Sequence, residues 1–127
     1  MVKLFEDYRK MNHRALQVWQ ILLSAAHNRQ IITYKMLAEI MGYERPGVYG
    51  RILKHLLYYC DQNKLPPLTV LIVSKAKGKP GAGFITAENV DKAREKVFNY
   101  NWFAVYPPAA ETLSEAYKTG EMKEKQL

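Results

Sequence analysis

The stretch VLIVSKAKGKPGAGF, Val70 to Phe84, runs from an apolar, β-branched segment into glycines and lysines. A strand entering such a loop is how many phosphate cradles begin. The spacing decides against a nucleotide. A P-loop needs Gly, four residues, then Gly-Lys-Ser/Thr, and Gly78-Lys79-Pro80-Gly81-Ala82-Gly83 does not supply it. A dinucleotide loop must lead into a helix, and here β-prone Phe84-Ile85 follows the glycines. What remains is charge. Lys75, Lys77 and Lys79 alternate with Ala76 and Gly78, and alternate residues of an extended arm share one side. Three lysines facing one way suit a polyphosphate backbone.

The other charged constellation lies between Pro46 and Gln62. At helical spacing Val48, Tyr49, Ile52, Leu53, Leu56, Leu57 and Cys60 fall on one side, and Arg51, Lys54, His55, Tyr58 and Gln62 on the other. The second face meets no carboxylate until Asp61, at its edge. A solvated helix face normally mixes both signs. Two cations, a histidine and a tyrosine are better matched to phosphates and groove edges. Arg45, Gly47 and Gly50 flank Tyr49 at the start of this helix, where glycines permit close approach of another backbone, protein or DNA.

Chemistry beyond binding finds little to work with. His13, His27 and His55 are scattered, without a carboxylate or cysteine at ligand spacing. Cys60 falls on the apolar side and reads as a small core residue. No catalytic, metal or cofactor site is expected.

The elements that must position these groups follow from periodicity. Asn12 to Asn28 reads as a helix with an apolar stripe of Ala15, Val18, Trp19, Leu22, Leu23 and Ala26. Thr33 to Met41 reads as a short helix, capped by Thr33 and stopped by Gly42. The helix from Pro46 to Gln62 follows. Leu68 to Val73 reads as a buried strand, with Gly83 to Thr86 returning as the second arm of a hairpin. A further helix is expected from Thr86 or Glu88 to Tyr100, then a buried, irregular Asn101 to Tyr106. The last helix is expected from Ala109 to Lys118.

The order is that of a winged helix-turn-helix, in which the second helix of the pair enters a groove and the hairpin wing lies along the backbone. The fold class expected is α+β, mostly α, a winged helix-turn-helix with additional C-terminal helices. The 127 residues form one domain, with a winged core at about 12–86 and a helical extension at about 87–127. The net charge of +7 favours polyanion partners. MVKLFEDYRK lacks an apolar signal core, no apolar run reaches the roughly 20 residues of a membrane span, and the one cysteine excludes an internal disulfide. A cytoplasmic location and no membrane contact are expected.

The segment Val18 to Phe84 resembles the DNA-binding domain of the alkylguanine-DNA alkyltransferases and alkyltransferase-like proteins. The shared pieces are Val18-Trp19-Gln20, Ile32-Thr33-Tyr34 with Leu37-Ala38, Gly42, Leu65-Pro66 and Gly83-Phe84. In that family the tyrosine of Thr-Tyr-x-x-Leu-Ala contacts DNA near an extruded nucleotide, which implies such a place for Tyr34. The reactive Pro-Cys-His-Arg motif has no counterpart, because Leu68-Thr-Val-Leu-Ile-Val73 holds no cysteine, histidine or arginine. Alkyl transfer is therefore not implied. The intercalating arginine of that family falls near Gly47 and is not carried over to Arg45. Residues 65–108 also resemble an uncharacterised family of small bacterial proteins.

The expectation is a non-catalytic DNA-binding protein. Its contacts would be Tyr34, Lys35, Arg45, Arg51, Lys54, His55 and Tyr58, with Lys75, Lys77 and Lys79 on the wing and duplex DNA as partner. Two alternatives stand beside it. One is a protein-interaction module using the aromatics of Asn99 to Phe103 and the last helix. The other is an accessory RNA- or DNA-binding factor stacking bases on Tyr34, Tyr43, Tyr49 and Tyr58.

Overall fold

A computed structural model describes residues 1–42, 46–74 and 90–125, and of Pro46 and Gly47 the backbone alone. Helix α1 spans Met11–His27, and its six-residue apolar stripe is buried as the periodicity requires. Its end is held by Asn28, whose Nδ2 donates to Ser24 O at 3.0 Å. Arg29 then turns through the left-handed region at φ 54°, and the Gln30 amide donates back to Ala25 O at 2.9 Å.

The chain re-enters through the short strand β1, Ile32–Thr33. Thr33 caps helix α2, Tyr34–Met41, by accepting from the Met36 amide at 3.1 Å. Such a cap contributes on the order of 1 kcal/mol. Gly42 ends the helix at φ 75°, a conformation that would strain a residue carrying Cβ. Helix α3 follows over Pro46–Gln62.

The apolar run after α3 departs from expectation. Leu68–Leu71 is a 3-10 turn, and only Ile72–Val73 is extended, as strand β2. All six residues are buried. A short apolar run suits a buried turn as well as a buried strand, and periodicity does not distinguish them. Strand β2 pairs with β1 in parallel, Ile32 opposite Ile72 and Thr33 opposite Val73. Within the described residues the sheet is therefore a two-stranded parallel one, not a hairpin. The expected returning arm, Gly83 to Thr86, lies outside the described residues.

Helix α4 spans Val90–Asn99 and α5 spans Ala110–Lys125, seven residues beyond the expected Lys118. Between them Trp102–Ala104 forms a 3-10 turn. Trp102 plugs the core, donating from Nε1 to Val97 O at 2.7 Å, while Phe103 and Tyr106 face solvent. The segment expected to be buried thus buries one aromatic and displays two.

The fold is mostly helical. Its core lies where α1, α3, the 68–71 turn and the first half of α5 meet. Trp19 sits at the centre, edge-on to Tyr59 at 5.5 Å and to Trp102 at 5.9 Å. None of the helices described is long and apolar enough to cross a membrane.

Candidate nucleic-acid interface

Helix α3 is the element to which the sequence assigns recognition. Its apolar stripe points inward: Tyr49, Ile52, Leu53, Leu56 and Cys60 are buried, and Val48 and Leu57 half-buried. That side rests on α1 and the 68–71 turn. Burial pushes the Cys60 thiol up to about 11, so it keeps its proton at neutral pH and is a core residue rather than a nucleophile.

The opposite side divides in two. In its first half Arg51 is exposed. From Lys54 onward the side is covered by α5, which packs on α3 more extensively than any other pair of elements described. His55 and Tyr58 retain 5% and 7% of their surface, where open contact positions were expected. The Tyr117 ring stacks on His55 at 4.3 Å and 18°. His55 Nδ1 donates to Arg51 O at 2.7 Å, the carbonyl being able only to accept. Burial lowers the His55 pKa, outweighing the opposite effect of that hydrogen bond, and the ring is buried in its neutral form.

The remaining positions of this face have partners on α5. Tyr58 lies against Gly120, where any Cβ would run into the phenol ring. Its hydroxyl donates to Glu121 Oε1 at 3.4 Å. Burial, then the neighbouring Glu124 and Glu121 carboxylates, raise its pKa. Lys54 Nζ stands 3.7 Å from the same Glu121 oxygen and is half-buried. With about a third of each side chain in water, that pair contributes at most ~1 kcal/mol. Gln62 Nε2 donates to Ala116 O at 2.9 Å.

The expectation of an open basic face therefore holds for Arg51 and fails for His55 and Tyr58. A helical wheel sees one helix, whereas α3 is enclosed on two sides by different partners. Gln62 and Lys54 are likewise engaged. The missed residues are Ala116, Tyr117, Gly120, Glu121 and Glu124. Their steps of one, three and four residues put them on one face of α5, and the small Ala116 and Gly120 allow close helix approach.

At the start of α2, Lys35 is exposed and Tyr34 is half-buried, packed against the core. Arg45 and the three wing lysines, Lys75, Lys77 and Lys79, lie outside the described residues, as does Tyr43. Of the tyrosines considered for base stacking, Tyr49 and Tyr58 are enclosed. The histidines stand apart: His13 beside Tyr8, His27 against Phe103, His55 beneath α5. Among the described residues no group of histidine, cysteine and carboxylate side chains is arranged to hold a metal.

A different kind of surface lies between α1, β1 and α2. Ile21, Ala25, Ile31, Met36 and Ile40 line a groove of about 500 Å³, with Ser24 and Gln30 as its polar members. Ile31, Met36 and Ile40 are exposed.

No family model, curated protein or solved structure matches this chain.

Proposed function

We propose that this protein binds duplex DNA without catalysing a reaction, through the helix pair α2–α3 used at its uncovered end. The observation that carries the reading is the exposure of Arg51 on α3, ahead of the part covered by α5, and of Lys35 at the start of α2, the helix that the left-handed Gly42 ends. In helix-turn-helix docking the N-terminal residues of the second helix reach base edges, while the first helix crosses the backbone. In this reading Arg51, exposed on α3, takes the first task and Lys35, exposed on α2, the second. Tyr34 shares the start of α2 and adds the contact implied by the alkyltransferase resemblance. Arg45, Lys75, Lys77 and Lys79 extend the basic set along the chain, and the net charge of +7 favours the same polyanion. This is the winged helix-turn-helix reading, with the wing assigned to the lysine-bearing segment.

The non-catalytic part rests on Cys60 and on Leu68–Leu71. The one thiol is buried and protonated, and the turn where the alkyltransferase resemblance would put a reactive motif is enclosed and carries no cysteine, histidine or arginine. A lone reduced cysteine suits the cytoplasm, the proposed location.

Titration of random-sequence duplex DNA at about 50 mM and about 200 mM salt tests the reading. Binding that weakens steeply with salt is expected. Absence of binding at the lower salt, both by the wild type and by a chain whose last α5 turns no longer cover α3, overturns it. A protein-interaction role is the second reading, favoured by the exposed apolar groove of Ile31, Met36 and Ile40. Size-exclusion mobility with and without duplex separates the two.

A further inference from the structure

Helix α5 is anchored unevenly. Its first half sends Ala110, Leu113 and Ala116 into the core. Beyond Tyr117, Gly120 is the one buried position among those described, and Lys118, Thr119 and residues 122–125 are exposed. The sequence pattern predicts a helix only to Lys118, before a charged, frayed tail, and Gly120 is a weak residue in a helix interior. The last turns nevertheless continue the helix, and what they rest on is α3. Gly120 allows the backbone to lie on the Tyr58 ring. Glu121 reaches both Tyr58 and Lys54, and Glu124 stands beside the Tyr58 hydroxyl. The residue that permits the contact is thus also the one that weakens the helix carrying it.

The charges on these turns are sorted. Glu121 is half-buried against α3 and Glu124, itself exposed, stands beside the Tyr58 hydroxyl, while Lys118, Lys123 and Lys125 are exposed and none is paired with α3 by a described ion pair. A carboxylate beside an ammonium and a phenol fills the role of a phosphate oxygen, which would make the same charge-assisted contacts. The two compete for Lys54, because like charges on one ammonium repel.

We infer that the turns of α5 from Gly120 onward are an intramolecular substitute for nucleic-acid backbone, covering Lys54 and Tyr58 until a duplex displaces them. The inference rests on the DNA-binding reading above. It assigns the covered half of α3 a part in binding that opens only when the cover lifts, so the free chain is held in a weaker-binding state.

Full-length variants test it by fluorescence anisotropy with random duplex DNA across a salt series. Gly120→Ala drives the last turns off Tyr58, and Glu121→Gln with Glu124→Gln removes the competing charge at constant size. Each is expected to tighten binding by about three- to tenfold near 50 mM salt and to steepen the salt slope by about 0.9 for each cation freed. Adding Lys54→Ala to either is expected to cancel the gain. Should Gly120→Ala disturb folding, seen as lost helicity by circular dichroism, the double glutamine variant carries the test. Wild-type binding with equal or weaker binding by the variants overturns the cover, weaker binding meaning that the exposed lysines of these turns hold DNA themselves. If neither the wild type nor any variant binds at low salt, the DNA reading falls and the cover falls with it. Binding by the variants alone supports both.

Discussion

Along the polar side of α3, Arg51 stays in water, whereas the positions from Lys54 onward lie against α5. The polar side is exposed at Arg51. Around His55, Tyr58 and Gln62 it is pressed under α5 by an aromatic stack, a glycine contact and a side chain-to-carbonyl hydrogen bond. The difference shows that a basic helix face is not by itself a binding face. Whether it reaches a ligand depends on what else in the chain has a matching row of small residues and carboxylates.

The strongest way to break the contrast is to unseat the cover at its root. Leu113 is fully buried and fixes the first half of α5 in the core. Leu113→Ala is expected to cost about 2–5 kcal/mol, the usual range for a leucine cut to alanine in a packed core. Urea denaturation followed by circular dichroism measures it. A loss under about 1 kcal/mol would mean that α5 is held by its surface contacts and not by the core. A milder break lies at the join: Gln62→Ala removes the donor to Ala116 O. It is expected to cost about 1 kcal/mol in the same measurement, the scale of one hydrogen bond.

Protonation of His55 tests the contrast without a substitution on α5. Burial lowers the His55 pKa below its ordinary 6.5. Between that lowered value and 6.5, the unfolded chain binds the proton that the folded chain refuses, so stability rises with pH across this window. The contribution is complete above 6.5 and is lost as pH falls through the lowered value. The groups facing the ring are Tyr117 and the Arg51 carbonyl, and neither supplies a counter-charge. Denaturant midpoints between pH 4 and pH 7 are expected to fall toward acid less steeply in His55→Phe, which keeps an aromatic stack on Tyr117, than in the wild type. Parallel curves would show that His55 is not the group that titrates.

How far the sequence reached depends on whether the controlling neighbour was local. The stripe of α1, the Thr33 cap and the Gly42 stop were all legible, because a residue within four positions decides each. The 68–73 segment was legible as buried but not in shape, since its turn is set by the exit from α3 and by pairing with Ile32 some forty residues earlier. The covered half of α3 was not legible at all. Tyr58 and Glu121 are 63 positions apart, and a wheel of α3 alone holds no trace of α5. The end of α5 was misplaced for the same reason: the charged residues after Lys118 read locally as a frayed tail, and α3 supplies the support that carries the helix past that point.

The smallest effect on stability should come from the uncovered end, where it is paired with the most direct effect on function. The Arg51 side chain is exposed. Arg51→Ala is expected to change stability by no more than about 0.5 kcal/mol, as surface substitutions do. If the first half of α3 enters the groove, the same change weakens DNA binding. A loss that is similar across sequences, with the salt slope shallower by about 0.9, places Arg51 on a phosphate. A loss confined to certain sequences, with discrimination relaxed by about 1–3 kcal/mol at one base pair, places it on a base edge. Unchanged affinity and slope would remove Arg51 from the interface, and with it the difference between the two ends of α3 as an explanation of binding.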